Sequence, residues 1–280
     1  MFLSIIIPVY NTPIDFFKEC LGSLTNIPSS LSHEVIIVND GSTEKEILSY
    51  LSLLNKDDYT VIHKKNEGLG SARNTGINIA VGKYIYPLDS DDALHVDFKI
   101  FIEFLKTNNE IEVLYGDLLC FGDVNSIQKY PDFDKLTLYL DRNIIPACSF
   151  FKKRTWEKAK GYDESLKTAE DYDFWIQCAV NNAVFQYIPY SPYKYRIINN
   201  GESLFQKTKD IREQNINLIR NKIPTSEIKM TDINNFIKNY FIENKRRKKK
   251  LLGLLIFTFS PKLYKLMNKF NMFTFKENFL

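Results

Sequence analysis

Histidine and cysteine are scarce here and neither is grouped: 280 residues hold three of the first and four of the second. His33, His63 and His95 are dispersed, which argues against a histidine-based zinc centre. Cys20, Cys120, Cys148 and Cys178 form no Cys-x-x-Cys and no metal-like spacing. They read as reduced, mostly structural thiols of a cytosolic protein. No glycine- and basic-rich loop stands early in the chain to hold a triphosphate, since Pro8-Val9-Tyr10-Asn11 offers neither feature. That counts against a nucleotidyltransferase on an α/β sheet. No basic region precedes the apolar run 2–9, so the run reads as a strand rather than a signal peptide. No internal repeat is present. The apolar run at 251–259 is nine residues long, whereas a membrane span needs about twenty.

What is present suits a folded globular chain of one large or two modest domains, with 44% hydrophobic and 25% charged residues and abundant Phe and Tyr. Residues 3–9 are a continuous aliphatic run, the sign of a strand buried on both faces. Tyr10-Asn11-Thr12-Pro13 then makes a turn, and Phe17, Leu21 and Leu24 recur at helical spacing. Further strands are expected at 34–38, 59–63 and 84–88. The helices between them are marked by Ile47, Leu51 and Leu54, and by Ala72, Ile77 and Ala80. Strand–helix units in this order mean an α/β domain with a mostly parallel sheet. Parallel strands share one carboxyl edge, so the loops after all four should converge on one cleft.

The fourth strand runs into Asp89-Ser90-Asp91-Asp92, three carboxylates in four residues. Strand alternation would point Asp89 and Asp91 the same way, where they repel unless a cation sits between them. Hard divalent cations bind such oxygens, often together with substrate phosphates. The plainer reading is an acidic turn capping a helix that starts after Ala93.

Beyond the cluster the expected elements are a helix at 98–105, one strand at 113–121, irregular chain at 122–145 and a strand at 147–151. In Glu170-Asp171-Tyr172-Asp173-Phe174-Trp175, the acidic pair occupies a first helical turn, where ionised carboxylates are favoured, while Phe174, Trp175 and Cys178 face a core. Residues after Gly201 read as helical and polar. From Lys238 onward, eleven Lys or Arg oppose Glu243 and Glu277, a net of +9 that leaves −6 for residues 1–237. Lys245 to Lys250 precede the run 251–259, and Leu263, Leu266, Met267 and Phe270 are set against Lys262, Lys265 and Lys269. The pattern suggests an amphipathic segment, 245–270, that meets an anionic membrane surface. The alternatives are packing on the catalytic domain or on a second copy in a homodimer. No nucleic-acid-binding fold is recognisable.

Five segments occur in order: Ser4-Ile5-Ile6-Ile7-Pro8-Val9-Tyr10-Asn11; Val38-Asn39-Asp40-Gly41-Ser42-Thr43; Asn66-Glu67-Gly68-Leu69-Gly70-Ser71-Ala72-Arg73-Asn74-Thr75-Gly76; Leu88-Asp89-Ser90-Asp91-Asp92; and Gly161-Tyr162-Asp163-Glu164 followed by Glu170-Asp171 and Trp175. Together they resemble the family 2 glycosyltransferases of the GT-A fold, over residues 1–205. The resemblance implies a Rossmann-like, mostly parallel sheet flanked by helices, with a nucleotide-binding half at 1–92 and an acceptor-binding half at 93–205. A helical, basic extension would fill 206–280.

The resemblance further implies an inverting transfer of a sugar from a UDP-sugar to a glycan or lipid-linked saccharide, assisted by Mn²⁺ or Mg²⁺, in cell-surface polysaccharide or lipooligosaccharide synthesis. The setting would be the cytoplasm, with peripheral attachment at the inner face of the membrane. Pro8 and Tyr10 would line the base pocket, Asp40 would bond the uracil, and Arg73 would reach the base or the phosphates. Gly68, Asp89 and Ser90 would complete the donor site, with Asp89 on the ribose. Asp91 would ligate the metal, Asp171 would be the general base, and Glu170 would help orient the acceptor. Relatives often carry Tyr-Arg-x-His after the base helix, its His a further metal ligand. Here Tyr195-Arg196-Ile197-Ile198 puts Ile198 in that place, leaving Asn199, a water, or Asp91 with the diphosphate alone. A non-catalytic binding protein of the same fold is the remaining alternative; the intact Asp89, Asp91 and Asp171 set opposes it.

Overall fold

The computed structural model describes residues 1–198 and 209–228. The basic tail with the segment 245–270 expected to meet a membrane, the apolar run 251–259 and Asn199 lie outside the described residues. So does the expected extension 206–280, apart from 209–228.

The first half alternates strand and helix: β1 (Leu3–Val9), α1 (Ile14–Ser23), β2 (His33–Asp40), α2 (Lys45–Leu53), β3 (Thr60–Lys64), α3 (Leu69–Ile79) and β4 (Tyr84–Pro87). Then come β5 (Ala93–Leu94), α4 (Phe98–Thr107), β6 (Val113–Tyr115), β7 (Leu118–Gly122), β8 (Ser126–Gln128), α5 (Lys135–Leu140), β9 (Phe150–Lys152), α6 (Lys153–Ala159) and α7 (Glu170–Val180). The chain continues with β10 (Phe185–Tyr187), β11 (Tyr193–Ile197) and α8 (Lys209–Asn221). Seven strands form the large sheet in the order β10-β6-β9-β4-β1-β2-β3, and β5-β11-β7-β8 form a smaller one. β1 pairs in parallel with both β2 and β4, and β2 pairs in parallel with β3. β9 lies antiparallel between β4 and β6.

β1 is buried along its whole length because both of its faces are covered. Ile5, Ile7 and Val9 join a core that includes Phe17, Leu21, Ile47, Leu51 and Phe98. The opposite face meets α3, where a Cβ at Gly76 would stand 2.6 Å from Cγ2 of Ile6. That glycine sets how closely α3 lies on the sheet. Phe174, Trp175 and Cys178 are fully buried, and Phe174 packs edge-on against Phe151 of β9. All four cysteines are free and buried.

The described residues group into two units, 1–134 with 143–198 and 209–223, and Lys135–Arg142 with 224–228. Within the second unit, Lys135 pairs with Glu227 at 2.5 Å. Among the described residues no helix is long and apolar enough to cross a membrane.

Two expectations need correction. The single strand at 113–121 is two strands in different sheets, broken at Gly116-Asp117. The Asp117 N–H donates to the Tyr190 carbonyl at 2.8 Å, and a Cβ at Gly116 would stand 2.1 Å from that same oxygen. The apolar pattern continues through the break, so periodicity could not reveal it. Residues 122–145 are not uniformly irregular either, since β8 and α5 lie within them. Both elements are too short to leave a periodic signal.

Candidate active site at the carboxyl edge of the sheet

The loops that follow β1, β2, β3 and β4 are tied to one another by hydrogen bonds. Asn11, with φ of 48°, donates its N–H to Ser42 Oγ at 3.0 Å and accepts from the N–H groups of Thr43 and Glu44. Thr12 and Ser90 share a hydroxyl–hydroxyl bond of 2.6 Å. Asp40, at the end of β2, is buried and accepts from the Gly68 N–H at 2.8 Å, the Glu67 N–H at 3.1 Å and Lys64 Nζ at 3.2 Å. Gly68 has φ of +99°, a conformation that glycine adopts freely as the chain turns into α3. Pro8 is buried within β1, whereas Tyr10 just beyond it is 53% exposed and offers an aromatic face at this edge.

Arg73 is buried beneath this edge. Its side chain is wholly enclosed, donating from Nη1 to Glu170 at 2.7 Å and from Nη2 to Asp89 at 2.8 Å. One guanidinium from α3 therefore joins the start of α7 to the acidic turn after β4. Two neighbouring carboxylates keep it charged despite its burial. Asn74, the next residue, bonds the Tyr162 backbone at both N–H and C=O, the Trp156 indole N–H and Glu164. That hub accounts for the Gly161-Tyr162-Asp163-Glu164 segment, which braces α3.

β4 ends at Pro87, and residues 89–92 form a turn closed by the Asp92 N–H on the Asp89 carbonyl at 3.0 Å. Strand alternation therefore does not extend to Asp91, and the three carboxyls meet three environments. Asp89 is taken up by Arg73. Asp91 opens to solvent, though the surrounding walls and the Asp89 charge push its carboxyl up to about 6. Asp92 is 1% exposed; its Oδ1 accepts the Arg196 N–H at 2.8 Å and its Oδ2 has no partner. Burial, then the charges of Asp91 and Asp89, hold Asp92 protonated well above the carboxylate range. The turn caps no helix, since Ala93–Leu94 is β5 and α4 begins at Phe98.

Asp171 stands half-buried in the first turn of α7 and accepts from Asn143 Nδ2 at 3.0 Å. Burial and the adjacent Glu170 charge push its carboxyl up to about 7, against a lowering pull from Arg73. A carboxylate balanced near neutrality in a cleft suits proton transfer.

Three participants escaped the sequence reading. Asn143 came from a stretch with no periodicity. Cys148 lies with Asp89 and Asp92 so that their ligand atoms fall within 4.8 Å of one another, a group able to hold a metal ion. Arg196 donates to the Asp91 carbonyl at 2.7 Å and pairs with Glu19 at 2.5 Å, its guanidinium over the rings of Phe16 and Phe121 at 4.2 and 4.3 Å. Its only sequence signal was the Tyr195-Arg196 pair. Ile198 is half-buried and has no atom that ligates a metal.

Residues 4–168 match the model of "Glycosyl transferase family 2". An uncharacterized glycosyltransferase of Methanocaldococcus jannaschii is 30% identical over 212 residues, 72% of this chain and 73% of that one. The chondroitin synthase of Escherichia coli is 28% identical over 226 residues, 76% of this chain but 31% of the synthase. Against a crystal structure of S. aureus TarS in complex with UDP-GlcNAc the TM-score is 0.61 at 20% identity, covering 94% of this chain and 83% of that one. At that identity the likeness establishes a shared fold.

Proposed function

The chain belongs to glycosyltransferase family 2, and on that premise we propose that it moves a sugar from a UDP-sugar to a hydroxyl of a glycan or lipid-linked saccharide, with inversion at the anomeric carbon. Residues 1–92 would take the nucleotide and 93–205 the acceptor. The observation that carries this reading is the Arg73 bridge, which brings Asp171, beside Glu170, into the same cleft as the Asp89–Asp92 turn. The UDP-GlcNAc bound in the TarS crystal structure supports a UDP-sugar as donor.

In the proposed reaction the acceptor oxygen attacks the anomeric carbon as the carbon–oxygen bond to the diphosphate breaks. The bonding pair leaves with UDP, and the hydroxyl proton passes to Asp171. Asn143 Nδ2 donates to Asp171 Oδ2, which helps fix the orientation of that carboxyl. Tyr10 would stack on the base, with Asp40, Gly68 and Ser90 shaping the pocket beneath it. Asp40 already bonds two backbone N–H groups and Lys64, so it would act largely by fixing the loop that carries Gly68. Arg73 is enclosed, which suits positioning Asp89 and Glu170 better than touching the nucleotide.

The donor set fits a hard divalent cation, Mn²⁺ or Mg²⁺. Asp91 is exposed, and the next residue, Asp92, keeps its Oδ2 without a hydrogen-bond partner. Held by Asp91, such an ion would offset the charge that develops on the leaving diphosphate.

The test is UDP release from a panel of UDP-sugars with Mn²⁺ and an oligosaccharide acceptor. Asp171→Asn should keep UDP-sugar affinity and lose about 10²- to 10⁴-fold in rate. The wild-type rate should climb through pH 7, as Asp171 sheds its proton, and level off above pH 8. An active Asp171→Asn beside a dead Glu170→Gln would exchange the two roles. No UDP release with any donor would leave a binding protein instead.

A further inference from the structure

The opposite edge of the large sheet carries a second concentration of charge, of the other sign. Lys83 stands immediately before β4, and the antiparallel register sets Lys152 of β9 across from Tyr84. Lys153 and Arg154 follow directly. With Asn109 and Glu157, these four cations line a cleft of about 400 Å³. Glu157 is the one acid among its lining residues.

The partners of the lysines are dipoles without net charge. Lys83 Nζ donates to Asn109 Oδ1 at 2.7 Å, and Lys152 Nζ donates to the Asn109 carbonyl. Lys153 Nζ donates to the carbonyls of Ala80 and Asn78, at 2.6 and 3.2 Å. Arg154 reaches Glu112 at 3.1 Å, a carboxylate it shares with Lys158 at 3.7 Å. Lys152 is only 3% exposed, and burial, with Arg154 and Lys83 close by, pulls its ammonium below the usual lysine range, against a smaller raising pull from Glu112 and Glu110. The Tyr84 ring lies 5.2 Å from Lys83 Nζ and 5.9 Å from Lys152 Nζ, and its hydroxyl is buried with no partner. Four cations around the cleft, with Lys158 beside them, outnumber Glu157, Glu112 and Glu110, and such a surplus around a buried lysine is unfavourable unless a further anion shares the space.

We propose that this cleft binds a phosphate group, giving the chain an anion site at the far end of β4 from the proposed catalytic cleft. Lys83 and Asp89 are six residues apart along an extended chain, roughly 20 Å at 3.3 Å per residue. Lys83 and Arg154 grip from the exposed rim, while Lys152 forms the floor. A free phosphorylated small molecule and a phospholipid headgroup offer the same charged acceptor oxygens to such donors.

The full chain, saturated with UDP to occupy the proposed donor site, is titrated calorimetrically with pyrophosphate. One equivalent should bind, and Lys83→Gln/Arg154→Gln should weaken it about tenfold, since each change removes a charge-assisted bond. Both side chains are exposed and Glu112 keeps Lys158, so the variant should match the wild type in circular dichroism, with a thermal midpoint lowered by no more than a few degrees. Glu157→Gln removes the acid from the lining and should tighten binding about threefold. The source follows from vesicles containing phosphatidic acid. Retention that the double variant reduces identifies a headgroup, and pyrophosphate binding without that difference identifies a free phosphate ligand. Equal pyrophosphate affinity in wild type and double variant, weaker binding in Glu157→Gln, or no binding in the presence of UDP would overturn the proposal.

Discussion

The two edges of the large sheet are built from the same strands and carry opposite surpluses. At the carboxyl edge the cations are committed: Lys64 to Asp40 and Glu67, Arg73 to Asp89 and Glu170, Arg196 to Glu19. Among the described residues Asp91 and Asp92 receive no cationic side chain in an ion pair, and Asp171 accepts an amide N–H. At the amino edge Lys83, Lys152 and Lys153 rest on neutral oxygens. A surplus of one sign in a partly desolvated place holds free energy that a counter-ion can release. Pairing, rather than the number of charges, thus marks where a ligand is expected.

Asp91→Ala should break the carboxyl edge most severely. With the oxygens facing the cleft gone, Mn²⁺-dependent donor binding should disappear and the rate should fall by about 10³-fold or more, as expected for several kcal/mol of charge stabilisation. The fold should persist, because Asp91 is exposed and packs into no core. A normal Mn²⁺ response in this variant, followed by thermal shift and UDP release, would remove Asp91 as the ligand.

Arg73→Met asks what happens when the committed cation is withdrawn. Glu170 is buried and Asp89 partly so, and both would lose their shared partner. Removing one member of a buried network costs about 3–5 kcal/mol. Urea denaturation should show that loss, and Arg73→Met/Glu170→Gln should recover part of it. Stability equal to wild type in the single variant would mean that the bridge contributes no net stability.

Asp171→Asn should have the smallest effect on the fold, and one that depends on pH. The folded-state pKa of Asp171, about 7, lies above the ordinary value of 3.8. The native state therefore binds this proton more tightly than the unfolded chain does. The ionised carboxyl destabilises the native fold, fully above pH 7, progressively less as pH falls, and not at all below the unfolded pKa. Asp171→Asn should thus raise the thermal midpoint at pH 8, with the gain shrinking toward pH 4. A gain independent of pH would point to packing instead.

The first four strands and the helices between them were legible because each is one local run with its own period, and the observed strand bounds fall within two residues of those expected. β10 and β11 carried no local signal, being short and partly exposed, and the insertion of β9 against β4 is a long-range pairing that no window contains. The candidate site was legible as residue types at strand ends. Its wiring was not. That Arg73 would turn inward to two carboxylates, that Ser90 would be spent on Thr12, and that residues 89–92 would leave the strand as a turn are all set by tertiary contacts. Asn143 shows the limit best, since an amide in an aperiodic stretch becomes informative only beside Asp171.

The place of β9 also sets an order of events during synthesis. β1 to β4 can pair as soon as they emerge, but the free edge of β4 waits for Phe150–Lys152, which lie more than sixty residues further on. At about 5–20 residues per second, that edge stays open for roughly 3–13 s, with its hydrogen-bonding groups exposed to any passing strand. The growing chain is thus most at risk in one interval, after Pro87 and before Lys152 has cleared the ribosome. Stalled chains ending within that interval should bind chaperones and aggregate more than chains arrested well beyond it. Equal retention on both sides of the interval would show that β4 is sheltered in another way.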